Sequence, residues 1–217
     1  MRVRIVGTGL VGSSLGMALT RAGADVLLED LNSSHAKVAA GLGAGRVATD
    51  DEPVDTVVVA APPAAIAGVV TRMLERHPEA VITDVGSVKS SIIRAVTAAS
   101  DHPERYVPGH PMAGSQLTGP LTASADLFTD RTWVITPQAC NSPEDVDVVH
   151  RLARLCGARV VELDAELHDE AVAQVSHVPH LMSILTASHL RGVPGENLIL
   201  AGQGIRDVTR IAGSDPG

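Results

Sequence analysis

The sequence predicts an α/β protein in which a doubly wound parallel sheet is followed by an all-helical second domain. Three observations carry this expectation. Short apolar, β-branched runs alternate with Ala- and Leu-rich stretches from the N-terminus to about residue 164. A glycine fingerprint, Gly7-Thr8-Gly9-Leu10-Val11-Gly12, sits directly after the first strand signal and opens the first helix signal. Beyond about residue 165 the strand signals stop and only helical patterns remain.

The elements follow in order. Residues 2–6 form a β-branched run, expected to be a buried parallel strand. After the fingerprint, residues 11–22 favour helix, and Gly23 ends it. Residues 25–29 hold a second strand that ends in Glu29-Asp30, and a helix is expected near 34–42. The TVVVAA run at 56–61 reads as a strand stopped by Pro62-Pro63, with helix over 64–76. Another strand is expected at 80–85, and Ser87 is placed to cap a helix starting near Val88. A loop around His110 comes next. It is followed by a strand near 132–136, a helix near 143–156 and a strand near 159–163. Residues 166–190 read as helix, with Pro179 expected to kink it. After a turn at 192–195, helix resumes to about Ala212. The domains expected are therefore 1–164 and 165–217.

Composition narrows the function. The chain has 217 residues, 45% of them hydrophobic and 19% charged, as in soluble globular proteins. It contains no apolar run of the ~18 residues that a membrane helix needs. A net charge of −8 and the lack of any Lys/Arg run argue against nucleic acid as a partner. Only Tyr106, Phe128 and Trp133 are aromatic, too few for a stacking platform. Cys140 and Cys156 make no metal pattern and imply no oxidising compartment, so a cytoplasmic location is expected.

A glycine fingerprint alone is weak evidence, but this one has the strand–turn–helix context that its mechanics require. Gly7 allows the tight turn, Gly9 admits a pyrophosphate and Gly12 lets helix pack on strand, so the domain is expected to be of Rossmann type. Asp30, 18 residues after Gly12, is placed to accept the ribose hydroxyls. A carboxylate there favours NAD over NADP, since it repels a 2′-phosphate. Glu29 competes for that assignment.

Four further clusters carry chemistry. His110, within VPGHPMAGS, lies in a Pro/Gly-bounded segment that cannot be helical. A histidine there can take a proton from an alcohol near neutral pH, although most loop histidines are merely solvated. Ser87 and Lys89 follow the strand ending at Asp84; Ser87 is a helix cap whose hydroxyl could also face the nicotinamide. His177 and His180, three apart, would share a helical face with Ser176 close by. A metal site there would need a third ligand, for which His168 is the best candidate; a hydrogen-bonded histidine pair is the simpler reading, and no metal is expected. Arg206 and Arg210, four apart, would also share a face, where they repel unless an anion lies between them. The residues alone leave that reading level with a solvated pair.

With these clusters in order, the chain resembles the prephenate and arogenate dehydrogenases of tyrosine biosynthesis. The resemblance rests on the fingerprint at Gly7, DVGSVK at Asp84, GHPMAGS at Gly109, SHVPH at Ser176 and GIRDVTRIAGSDP at Gly204, and covers essentially the whole chain. It implies oxidation at C4 of prephenate by hydride transfer to NAD(P)⁺, with loss of the ring carboxylate as CO₂. It implies His110 as the base and Ser87 as the residue that positions it. It assigns Arg210 to a substrate carboxylate and His180 to a second substrate contact. Ser115, Gln116, Ser176, His177 and Arg206 are expected to line the substrate site, and a homodimer built on the helical domain is expected. Gln116 stands where many members carry Glu, and Arg206 where Lys is common. The chain stops at Gly217, where the family continues with more helices, so the second domain is expected to be incomplete. Arogenate or an amino-substituted prephenate is the alternative substrate. A β-hydroxyacid dehydrogenase would need a catalytic lysine that neither Lys37 nor Lys89 suits. An NAD-binding sensor or interaction module would have no need of His110 and Arg210.

Overall fold

The computed structural model describes residues 1–49, 52–114 and 117–213. The chain parts into two compact units, Met1–Asp169 and Glu170–Pro216.

In the first unit, five strands run parallel, and all but the third are built from short apolar runs in the sequence. They are β1 (Arg2–Val6), β2 (Asp25–Glu29), β3 (Arg46–Val47), β4 (Thr56–Val59) and β5 (Val81–Asp84), in the order β3-β2-β1-β4-β5. Their connections hold α1 (Leu10–Arg21), α2 (Ser33–Gly41), α3 (Pro63–Arg76) and α4 (Ser90–Ala99). Because successive side chains of a strand point to opposite faces, β4 serves two cores. Val58 packs with Leu15 and Leu19 of α1 and Ala36 and Ala39 of α2. Val57 and Val59 pack with Val70 and Leu74 of α3 and Val96 of α4. Both faces are covered, which is why these strands read as continuous apolar runs. β4 ends ahead of Pro62-Pro63, and Pro63 occupies the first turn of α3, where a missing N–H costs no bond.

The chain then leaves the parallel pattern. Val107 N–H donates to Ile82 O at 2.9 Å, so the backbone runs along β5 before it enters a second sheet. That sheet orders β6 (Gly109–Pro111), β7 (Thr132–Ile135) and β8 (Arg159–Glu162), with α5 (Pro143–Leu155) between the last two. β6 is antiparallel to β7, and His110 lies opposite Val134. The five-stranded sheet is parallel as expected, and one expectation is corrected here: His110 sits in a short strand, antiparallel to β7, rather than in a loop. The flanking Gly and Pro do exclude helix, but the long-range pairing with β7 makes the segment extended.

The helical end starts with α6 (Ala165–Val172), and the units part inside it. A π-helical stretch, Ala173–His177, leads into α7 (Val178–Leu190). Helix runs through 165–190 as expected, with the π turn lying just before Pro179. Pro179 stands in the first turn of α7, and the wider π turn absorbs its missing N–H. α8 (Gly195–Leu198) and α9 (Gln203–Thr209) follow, then a 3₁₀ turn at Arg210–Gly213. Ser183 of α7 is 2% exposed and donates through Oγ to Val208 O of α9 at 2.6 Å, fastening the two helices. Among the described residues, no helix is long and apolar enough to cross a membrane.

Candidate active site

The glycine loop joins β1 to α1. Gly7 has φ of +100°, and a Cβ there would lie 2.3 Å from Ala60 O. A Cβ at Gly12 would lie 1.9 Å from Gly7 O. Both positions admit only glycine, because β1, β4 and α1 meet at backbone contact. Gly9, the N-cap of α1, differs: a Cβ there would meet nothing within 4 Å. That open space lies beside the N-terminus of α1, with Leu10 and Val11 forming the first helical residues. The cradle fits a dinucleotide pyrophosphate, which would be held by backbone N–H groups and the helix dipole.

The two acidic candidates at the end of β2 have different surroundings. Glu29 is gripped by Arg4 at 2.5 Å and Arg76 at 3.0 Å. Asp30 turns to the glycine loop instead. Its Oδ2 accepts from Thr8 N–H at 2.6 Å and Thr8 Oγ1 at 2.9 Å, and its Oδ1 accepts from Asn32 N–H at 2.8 Å. Asp30 thus ties the loop to the strand end, and its carboxylate keeps lone pairs for a ribose.

A second cluster forms around a buried ion pair that no local pattern of residues locates. Asp84 ends β5 and Lys89 precedes α4; both side chains are 0% exposed, and the Lys89 ammonium donates to Asp84 Oδ2. Asp84 also accepts from Tyr106 OH at 2.9 Å, Gly86 N–H at 2.9 Å and Gly109 N–H at 3.3 Å. Burial pushes the Lys89 pKa down, against the pull of Asp84. Burial raises that of Tyr106 well above the usual phenol value, and Asp84 adds to the effect, so the phenol stays a donor. Lys89 Nζ also donates to Gly109 O at 2.8 Å, anchoring the residue before His110.

His110 is 8% exposed. Its Nδ1 lies 2.9 Å from Nε2 of His168, which is 0% exposed. His168 Nδ1 in turn lies 2.9 Å from Asp169 Oδ1. The Asp169 carboxylate also accepts from the backbone N–H groups of Lys89, at 2.8 Å, and Ser90, at 2.9 Å. Burial works against ionisation of Asp169, but those two amides and His168 outweigh it and hold its pKa down at about 2. Asp169 is thus the cap of α4. The expectation that Ser87 caps this helix is corrected: α4 starts at Ser90, its N-cap is Lys89, and the capping oxygens come from 80 residues away. Ser87 lies in the turn between β5 and α4 and makes no hydrogen bond among the described residues. His168, considered above only as a metal ligand, is instead the partner of His110. Among the described residues no three His, Cys, Asp or Glu side chains come together as a metal site would require. The one available signal was the adjacent His168-Asp169 pair, and nothing local said where it would dock.

The other candidates lie in the helical unit or outside the described residues. Ser115 and Gln116 fall outside the described residues. Ser176 and His177 lie in the π-helical stretch and are exposed, whereas His180 on α7 is half-buried with an Nε2 that finds no partner among the described residues. Arg206 lies in α9 and Arg210 begins the 3₁₀ turn; both are exposed, and neither is ion-paired among the described residues. Asp207, whose Oδ1 accepts from Gln203 at 2.7 Å, forms no ion pair with either among the described residues.

Comparison with known proteins gives this arrangement a context. Residues 15–162 match the family described as prephenate dehydrogenase, nucleotide-binding domain, and residues 164–217 the one described as prephenate dehydrogenase, dimerization domain. The probable prephenate dehydrogenase NovF of Streptomyces niveus is 35% identical over 211 residues, which make up 97% of this chain but 58% of that relative's length. The crystal structure of A. aeolicus prephenate dehydrogenase in complex with hydroxyphenyl propionate and NAD⁺ matches with a TM-score of 0.90 at 28% identity, over 100% of this chain and 79% of the other. That of Synechocystis arogenate dehydrogenase matches with a TM-score of 0.81 at 26% identity, over 100% and 80%. Two family domains, matched in order along almost all of the sequence, lead to one conclusion: this chain belongs to the prephenate dehydrogenase family.

Proposed function

We propose that the protein catalyses the NAD-dependent oxidative decarboxylation of prephenate to 4-hydroxyphenylpyruvate. The observation that carries this reading is His110, a buried histidine whose preceding carbonyl, Gly109 O, is held by Lys89 and whose ring meets His168. An imidazole fixed in this way is suited to act as a general base. His110 takes the proton of the C4 hydroxyl, and the C4 hydrogen leaves as hydride. The bond from C1 to the ring carboxylate then breaks, CO₂ departs, and its electron pair makes the ring aromatic. The proton returns from His110 to the phenolate oxygen, so charge and atoms balance. NAD⁺ supplies the hydride acceptor; Gly7, Thr8, Gly9, Leu10, Val11 and Gly12 would cradle its pyrophosphate, and Asp30 its adenine ribose.

Arg210 and Arg206 are the proposed anchors for the substrate carboxylates, because both are exposed cations with no acidic partner among the described residues. His180, whose Nε2 finds no partner among the described residues, is proposed as a further substrate contact, together with Ser176, His177, Ser115 and Gln116. Ser87 is proposed to orient the reacting hydroxyl. The second domain is proposed to pair two copies of the chain. Arogenate is the second reading, supported by the similarity to an arogenate dehydrogenase; the higher similarity to proteins named for prephenate favours prephenate.

His110→Asn tests the assignment. It should leave NAD binding intact and lower kcat by about 10²–10⁴-fold, the scale of a general base. A kcat within a few-fold of the unmutated protein would overturn it.

A further inference from the structure

A base is useful only if the nitrogen that faces the substrate carries a lone pair rather than a hydrogen. A neutral imidazole bears one N–H, and which nitrogen holds it is set by the partner of the other. The partners of His110 form a chain in which each proton can be assigned.

The chain begins at Asp169. Its carboxylate accepts two backbone N–H groups, from Lys89 and Ser90, and neither can be anything but a donor. They hold the carboxylate ionised, and an ionised carboxylate only accepts. His168 Nδ1, 2.9 Å from Asp169 Oδ1, must therefore carry its hydrogen. In a neutral ring this leaves His168 Nε2 as an acceptor. The next nitrogen, His110 Nδ1 at 2.9 Å, must then be the donor. The hydrogen of His110 is consumed inside the chain, and the lone pair falls on Nε2. The two rings meet edge-on, with an interplanar angle of 79°, inside a site where both side chains are buried.

We infer that His168 and Asp169 are positioning residues that fix His110 in the Nδ1–H tautomer and so make its Nε2 the base. The inference rests on the proposed role of His110. The device is closed on itself. Lys89 gives its backbone N–H to Asp169 and its ammonium to Gly109 O, so one residue sets both ends of the path that leads to His110. When His110 takes the substrate proton on Nε2, the new imidazolium donates through Nδ1 toward His168, and the Asp169 charge stabilises it from the far end. Neither His168 nor Asp169 needs to touch substrate.

The test reads the tautomer directly. Protein labelled with ¹⁵N in histidine, without cofactor or substrate, is examined by two-bond ¹⁵N–¹H correlation near neutral pH, with His110→Asn used to assign the resonance. The unmutated protein should show His110 as the Nδ1–H form. His168→Phe, which keeps a ring but removes the acceptor, should shift His110 toward the Nε2–H form that imidazole prefers in water. It should also lower kcat by about 10²-fold or more, as a wrong tautomer does, with the KM for NAD little changed. His168→Gln restores an oxygen where Nε2 stood, and should recover both the Nδ1–H form and most of kcat. An Nε2–H or doubly protonated His110 in the unmutated protein would overturn the inference. So would a tautomer and kcat indifferent to His168→Phe. The correct tautomer in a protein that turns over no cyclohexadienyl substrate would count against the proposed function and not against this inference.

Discussion

Lys89→Met removes one half of the buried pair on which the site is built, and its cost can be worked from the contacts. Asp84 and Lys89 are both 0% exposed, so the variant leaves a carboxylate in the interior without its counter-charge. Breaking such a pair costs about 3–5 kcal/mol. Asp84 keeps its bonds from Tyr106, Gly86 and Gly109, which places the expectation at the lower end, about 3 kcal/mol. For a chain of this size that is a fall in Tm of roughly 6–12 °C. Trp133 is the only tryptophan, is 0% exposed, and its Nε1 would lie 3.0 Å from a Cβ at Gly109, so its fluorescence reports on this region during urea unfolding. Asp84→Asn combined with Lys89→Met removes the stranded charge and should be less costly than Lys89→Met alone. A loss within about 1 kcal/mol for Lys89→Met, or a double variant as unstable as the sum of the singles, would refute the reasoning.

Other outcomes follow from the same geometry. Gly9→Ala should keep the fold within about 1 kcal/mol of the unmutated protein yet weaken NAD binding, because its methyl enters the space a pyrophosphate would fill; Gly12→Ala should fail to fold stably, since its Cβ has 1.9 Å to Gly7 O. Thermal unfolding and cofactor titration separate the two. Arg210→Gln should raise the substrate KM by roughly 10–150-fold, the worth of a charge-assisted bond of about 1.5–3 kcal/mol, with little effect on the KM for NAD; equal effects on both would make Arg210 structural. Asp169, whose pKa falls from 3.8 to about 2, contributes stability that is complete above pH 3.8 and is lost as pH falls toward 2. The stability gap between the unmutated protein and Asp169→Asn, measured by urea unfolding, should therefore close over that range.

How much of this was legible depended on whether the deciding signal was local. β1, α1 and β2 fall almost where the sequence puts them, because apolar runs, the fingerprint and Gly23 lie within the elements they define. β3 has no signal of its own: two residues, Arg46 and Val47, are made a strand only by pairing with Leu27 and Leu28. His110 was singled out by type and flanks, but its strand depends on Trp133–Ile135 more than twenty residues away. Ser87 looked like a cap because caps are normally adjacent in sequence, whereas Asp169 supplies this one from the far end of the unit. The same distance hid His168. Of the two acidic candidates for the ribose, Glu29 is engaged by Arg4 and Arg76, an approach that no spacing rule could give.

The most direct test of the account follows NADH and CO₂ together. Purified protein is given NAD⁺ and prephenate labelled in the ring carboxylate; NADH is read by absorbance and released label is trapped. Arogenate and NADP⁺ serve as the parallel arms. The account predicts NADH and CO₂ in equal amounts, faster with prephenate than with arogenate and with NAD⁺ than with NADP⁺. NADH formed without release of the carboxylate, or turnover of neither substrate, would contradict it.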